Sequence, residues 1–406
     1  MSEPGTGQSK PRKYISIIAR LLIAVVGIGY IAWSLTWTDS ILVPAGQLVQ
    51  DGSPNTKAIL LPIESESETS YLVALPSTKH TQFVDLSNNT IPKSLLGDQP
   101  DQFQYRQGIV STLREANYTK LAIGFLLIGL IFPMQAMRWW LLLTCRGLAV
   151  SKRKAYRLTM VGLFFNFCMP GMTGGDVVKA YYAAKGSGSR STAIMSVALD
   201  RVAGLFGLIL LAGIVGLWML DHDLARKITI IIWLGIGAIV IGGCIYFSGR
   251  TRKALGVAWL MGKMSQDNPL NKIDQAAVAY RHHKWTVLAA IAISLPVHLA
   301  QVGAVSLAGY ALGMQTNLGL MFVVLPLIFL AGSMPISYQG LGVMEGLGIA
   351  FLAIGDVATN NQVVGMLLLM RIFFVIYALC SSIFVLRGNI HLFPQIPATE
   401  NVPSAE

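Results

Sequence analysis

The chain has 406 residues, 53% of them apolar and only 13% charged, with a formal net charge of +11 and a mean hydropathy of +0.57. Soluble domains carry about a quarter charged residues; the deficit here is concentrated in long windows, which excludes an ordinary soluble globule and points to several membrane spans of ~20 residues each. The basic surplus does not call for nucleic acid, because Lys and Arg collect in the short cytoplasmic loops of membrane proteins.

In chain order, KPRKY at 10–14 precedes the apolar run 15–37. The run is too long for a cleaved signal peptide and lacks a small-residue cleavage site, so 1–37 reads as a signal-anchor span with a cytoplasmic N-terminus. Residues 38–118 differ in kind, with DGSPN, ESESETS and LSNNT between short β-like runs such as YLVAL (71–75) and FVDL (83–86). From Asp39 to Glu115 there are nine acidic and five basic residues, against the trend of the chain. An extracytoplasmic insert of no nameable fold is expected there.

Apolar windows then follow at 119–143, 191–220, 228–247, 285–312, 318–333, 341–355 and 362–386. Basic residues cluster in RGLAVSKRKAYR (146–157), in 250–284 and at Arg387. Placing these clusters on the cytoplasmic side gives an all-α, polytopic bundle of about eight spans in the plasma membrane, with both termini inside. The polytopic part is 119–386, and 387–406 reads as a disordered tail. The four cysteines, Cys145, Cys168, Cys244 and Cys380, show no metal-type spacing, so neither a disulfide framework nor a metal or cofactor site is expected.

Two stretches interrupt the apolar pattern with nearly the same punctuation: MPGMTGGDVVK at 169–179 and MPISYQGLGVME at 334–345. Pro170, Gly171, Gly174 and Gly175 must unwind one helix, and Gly340 and Gly342 another. Broken helices at membrane depth are tolerated only where protein or a wet cavity satisfies the backbone. A pair of them in two halves of a chain points to a transporter-type binding site, while surface loops or close helix packing would also account for either one alone. Residues 158–185, flanked by basic residues on both sides, read as a re-entrant element entered and left from the cytoplasm.

With the loop at 146–157, NFCMPGMTGGDVVKAYY (166–182), SVALDRVAGLFGLI (196–209) and MPISYQGLGVMEG (334–346), the chain resembles the lysylphosphatidylglycerol synthase transmembrane-region family. That family includes the flippase half of the bacterial multiple peptide resistance factor. Its pattern of Asn, Pro-Gly-Arg, Gly-Glu and a basic residue falls on Asn166, Pro170, Gly171, Gly175, Asp176 and Lys179. Met172 stands where Arg is common, and Asp176 replaces the usual Glu. The later motif runs from Pro335 through Gly340 and Gly342 to Glu345.

Charged residues within the apolar windows supply a separate argument. Asp200, Arg201, Glu345 and Arg371 would each cost roughly 2.5–3.5 kcal/mol at a helix centre, so such residues pair or line a pathway. Asp200 with Arg371, or Arg201 with Glu345, would be a structural pairing. Arg138, beside Trp139 and Trp140, reads as a snorkelling interface anchor. His298 and Gln301, three residues apart, share a helix face and read as hydrogen-bonded packing. GSGSRST (186–192) lacks the ending of a phosphate-binding loop and reads as a linker.

The candidate substrate site is therefore Asn166, Gly174, Gly175, Asp176, Lys179, Asp200, Arg201, Ser337, Gln339, Gly340, Gly342, Glu345 and Arg371. Its expected role is translocation of a lipid or lipid-linked substrate, with membrane lipids as partners and no catalytic residues. Two alternatives stay open. One is a non-transporting partner whose outward segment binds an envelope protein. The other is the membrane half of a lipid aminoacyl-transfer system working with a separate synthetase.

Overall fold

The computed structural model describes residues 29, 35–50, 53–75, 81–84, 86, 89–97, 102–168, 174–185, 190–247, 274, 278–334, 336–353 and 358–386. Most of the apolar run 15–37, residues 169–173 with Pro170, Gly171 and Met172, Pro335, most of the basic stretch 250–284 and the tail 387–406 lie outside the described residues.

Within 38–118 the chain forms eight short strands: β1 (Ser40–Val43), β2 (Leu48–Gln50), β3 (Ser53–Pro54), β4 (Ile59–Glu66), β5 (Ser70–Val73), β6 (Gln82–Phe83), β7 (Thr90–Pro92) and β8 (Gln104–Arg106). They make an antiparallel sheet in the order β7-β5-β4-β1-β8 and a smaller one, β3-β2-β6. The two enclose Ile41, Val43, Leu48, Leu61, Val73, Phe83, Ile91 and Phe103. The chain is thus mostly helical but not all-α. Asn55 stands in for missing sheet contacts at a buried corner, accepting from the Leu48 amide at 2.9 Å and donating to Pro44 O at 2.9 Å. Strands this short carry little period-two signal, and so the sequence shows runs rather than a sheet.

Ten helices follow among the described residues: α1 (Ile109–Arg114), α2 (Tyr118–Thr144), α3 (Lys152–Cys168), α4 (Gly174–Ala184), α5 (Arg190–Gly216), α6 (Asp223–Phe247), α7 (Lys284–Ala311), α8 (Leu318–Ser333), α9 (Val343–Leu352) and α10 (Asn360–Leu386). Asn117 starts α2 by accepting from the Lys120 amide, and Asn317 starts α8 by accepting from the Gly319 amide, each filling one orphan donor of a helix N-terminus. Among the described residues, five helices are long and apolar enough to cross a membrane: α2, α5, α6, α7 and α10.

The window at 341–355 is not a span. It is the ten-residue α9, about 15 Å long at 1.5 Å per residue, against ~30 Å of hydrocarbon. Helix α8, with 16 residues, reaches only about 24 Å. These two pack antiparallel: a Cβ on Gly332 would meet Met344, and one on Gly348 would meet Ile328. Helices α3 and α4 do the same, with Gly175 against Gly162 and Asn166, and Gly162 against Lys179. The bundle therefore contains two antiparallel helix pairs, or hairpins, α3 with α4 and α8 with α9.

Contacts at the helix ends fix the topology. At one end, the Asn117 amide donates to Ala311 O (2.9 Å) and Gln362 Nε2 to Leu312 O (3.0 Å), so α2 begins where α7 ends and α10 begins. At the other, Tyr280 Oη donates to Leu142 O (2.9 Å), and the Tyr156 and Phe384 rings meet at 5.9 Å. The unit α2–hairpin–α5 is thus repeated as α7–hairpin–α10, run in the opposite sense and joined through α6. The packing repeats as well: α2 lies along α7, α3 packs on α10, and α8 packs on α5.

The β-domain is rooted at the first end. Asn361, buried at the start of α10, accepts from the Thr36 amide (3.1 Å), and its Nδ2 faces Thr36 O (2.9 Å) and Gln107 O (2.8 Å). Entry into the domain and exit from it are therefore held by one side chain.

Candidate functional site

The two hairpins meet where α3 ends: the turn that leads into α9 touches the last residues of α3. Tyr338 Oη donates to Phe167 O at 3.1 Å, and Gln339 Nε2 reaches Asn166 O at 3.4 Å. Two segments 171–173 residues apart in sequence thus meet at one place.

The first tip is tightened by Asn166, whose Oδ1 accepts from the Gly175 amide at 2.9 Å across the hairpin. A Cβ on Gly175 would lie 1.9 Å from Gly162 O, so glycine is required here by the close approach of α3 and α4. Gly174 opens α4. On α4, Asp176 and Lys179 are three residues apart and share a face. They meet Arg201 and Asp200, neighbours on α5, in two reciprocal ion pairs. Asp176 pairs with Arg201, and Lys179 Nζ lies 3.7 Å from Asp200 Oδ2.

Asp200 has a second, closer partner in Arg138, which its tryptophan neighbours would suggest as an interface anchor. Arg138 Nε donates to Asp200 Oδ1 at 2.7 Å, and its Nη1 donates to Ser294 Oγ on α7 at 2.8 Å. Arg138 is 5% exposed; it is an interior ion pair and not a snorkelling anchor. Trp139 lies alongside, with Lys179 Nζ 4.4 Å from its ring centroid, within cation–π range. His298 completes this layer, with Nε2 2.9 Å from Gly204 O and Nδ1 3.3 Å from Gln301 Oε1, in keeping with hydrogen-bonded packing.

The second tip is clamped differently. Glu345 is wholly buried. Its Oε2 accepts from the Gly342 amide at 2.9 Å, which caps the start of α9 with a negative charge. Its Oε1 accepts from Arg371 Nη2 at 2.7 Å, and Arg371 Nη1 donates to Gln339 O at 2.7 Å. One arginine on α10 thereby holds both sides of the turn. The turn needs left-handed backbone at Gln339 (φ 50°), Gly340 (φ 70°) and Gly342 (φ 80°), which glycine adopts without penalty. Ser337 is 2% exposed, and its Oγ has no hydrogen-bond partner among the described residues.

The structural pairings that the sequence allows as an alternative, Asp200 with Arg371 or Arg201 with Glu345, are not the ones formed. Each pair closes within its own half of the molecule: Asp176–Arg201 and Lys179–Asp200–Arg138 in the first, Glu345–Arg371 in the second. Among these groups four cations face three carboxylates, so the layer carries one positive charge in excess.

A mostly helical chain with several long apolar helices and buried ion pairs, Arg138–Asp200 and Arg371–Glu345, is a multi-pass membrane protein. The sequence profile of the lysylphosphatidylglycerol synthase TM region matches residues 107–381, and the chain belongs to that family. A UPF0104 membrane protein of Methanothermobacter thermautotrophicus is 24% identical over 272 residues, which cover 62% of this chain and 80% of the relative. The matched family region is the membrane part of a synthase, and no catalytic domain is identified with it.

Proposed function

We propose that the protein moves a phosphate-bearing lipid, or a lipid-linked substrate, between the leaflets of the plasma membrane, and that the headgroup passes where the hairpin tips meet. The carrying observation is the tip-to-tip contact beside a buried layer with one unbalanced positive charge. Inverted repeats that place broken helices at a shared interface are a recurring transporter design. An anionic headgroup would supply the missing charge. Lys179, at the long 3.7 Å separation from Asp200, is the cation we assign to it; Ser337 Oγ and the amides of the second turn would donate alongside.

In this reading the hairpins are re-entrant, the first from the cytoplasm and the second from outside. Arg146, Lys152, Arg153, Lys154 and Arg157 gather at the end of the bundle where α2 finishes and α3 begins, and the positive-inside tendency places that end in the cytoplasm. The β-domain then faces outward. Cysteine labelling of intact cells should modify Ser67→Cys and spare Arg153→Cys; the opposite result would invert the topology. A second reading, docking of an envelope protein on the β-domain, is favoured by the Asn361 root, which ties that domain to the helix carrying Arg371.

The transport reading is tested by reconstitution with labelled lipids. Lys179→Gln should slow translocation of anionic lipids about tenfold and of zwitterionic ones much less. Equal rates for wild type and variant on both lipids would remove Lys179 from the pathway.

A further inference from the structure

The site above does not use a second feature, an open cavity of about 510 Å³ on the flank of the bundle at the basic end. Its floor is apolar, formed by Pro133, Ala136 and Met137 of α2 and Phe384 of α10. Its rim is different. Lys152, Arg153 and Arg157 of α3 line it together with Trp140 and Tyr156, and no carboxylate is among the lining residues.

The local structure holds these groups in place. Trp140 Nε1 donates to Val150 O at 2.9 Å, fixing the indole, and Lys152 Nζ lies 4.8 Å from its ring centroid. The Tyr156 ring meets Phe384 edge-on at 5.9 Å, closing the floor against α10. The cavity also abuts the first turn of α3, where backbone N–H groups and the helix dipole favour an anion. Arginine forks bind phosphate bidentately, and Trp and Tyr are the residues that sit at the membrane–water boundary.

We propose that this cavity is a binding site for an anionic glycerophospholipid, with the phosphate held by Lys152, Arg153 and Arg157 and the start of an acyl chain lying on Met137, Pro133 and Phe384. The combination selects a lipid over a soluble phosphate, because a soluble anion would leave the apolar floor uncovered. The cavity's other wall is α3, the first arm of the hairpin, so a lipid seated here lies against the element that carries Asn166 to the tip contact. The proposal extends the lipid reading above but is tested by binding alone.

The test uses the full-length protein in nanodiscs of phosphocholine lipid doped with spin-labelled phosphatidate or spin-labelled phosphatidylcholine. The immobilised fraction of the label reports binding. Wild type should prefer the anionic lipid about tenfold, and Lys152→Gln/Arg153→Gln/Arg157→Gln should bring that preference close to one. Met137→Trp, which fills the floor and leaves the charge unchanged, should cut the preference at least threefold. All four substituted side chains are exposed, so folding should be retained. Three results would overturn the proposal: an unchanged preference in the triple variant; a loss in the triple variant with none in Met137→Trp, which means unspecific surface attraction; or displacement of the labelled lipid by millimolar glycerol phosphate, which means a soluble anion. Binding that persists in a protein that moves no lipid would sink translocation and leave this site standing.

Discussion

In the second hairpin, Glu345 is wholly buried and its carboxylate faces Arg371 and the Gly342 amide. In the first, the Asp176–Arg201 pair is partly open, the arginine side chain being 39% exposed, and Lys179 shares its carboxylate with Arg138. Both are antiparallel helix pairs, yet one is held by a closed, neutral clamp and the other is bordered by a looser network in which cations outnumber carboxylates. The repeat thus copies the helix arrangement without copying the electrostatics.

The largest effect should come from breaking the closed clamp. Arg371→Ala leaves Glu345 buried without a counter-charge, which costs about 3–5 kcal/mol, and folded yield in detergent should collapse. Arg371→Met combined with Glu345→Gln should recover much of that loss, since the double change removes both buried charges and Glu345→Gln keeps an acceptor for the Gly342 amide. A double variant no better than the single would mean that the pair does not act as a unit.

Asn361 lies on the same helix as Arg371 and extends the comparison to the β-domain root. Asn361→Ala strands the Thr36 amide and the Thr36 and Gln107 carbonyls, at about 1–3 kcal/mol. Hydrogen exchange at 35–39 and 107–109 should rise while the hairpins stay protected. Arg201→Gln should cost far less, about 0.2–1 kcal/mol, because the pair is partly solvated; a loss as large as that of Arg371→Ala would erase the distinction between the tips.

The smallest effect belongs to the exposed Lys93–Glu66 pair of the β-domain, where Nζ lies 2.6 Å from Oε1. The hydrogen bond from Lys93 holds the Glu66 carboxyl below its ordinary 4.5, and the same bond holds Lys93 above its ordinary 10.5. The depressed Glu66 value means its contribution is complete above pH 4.5 and fades as pH falls through the folded value. The raised Lys93 value means the reverse, present below pH 10.5 and lost as pH rises through the folded value. Lys93→Gln should lower the plateau of the thermal stability profile slightly and flatten both edges by the same small amount, with the stability at the acid and alkaline extremes unchanged.

Much of this fold is legible in the chain. The windows 119–143, 191–220, 228–247, 285–312 and 362–386 fall on α2, α5, α6, α7 and α10, because an unbroken run of about 20 apolar residues leaves few alternatives to a long helix. The element at 158–185 became the first hairpin because Pro170 and the glycines break a run that basic residues bracket. The second hairpin was harder to see: no charge separates 318–333 from 341–355, and each alone looks like a short span. Ion-pair partners were beyond reach. Arg138 finds Asp200 across 62 residues, and which faces of two helices meet depends on rotations that hydropathy does not encode. The RWW run drew attention to the right residues and suggested the wrong role, since an arginine beside two tryptophans looks alike at an interface and in an interior.

The central claim is that the two hairpin tips form one headgroup site, and locking them together tests it most directly. With Cys145, Cys168, Cys244 and Cys380 replaced, Phe167→Cys/Tyr338→Cys can be joined by a short, reducible bismaleimide, since Tyr338 Oη reaches Phe167 O at 3.1 Å. Cross-linking should be efficient, translocation of an anionic lipid in liposomes should stop, and reduction should restore it. Efficient cross-linking with undiminished translocation would contradict the account.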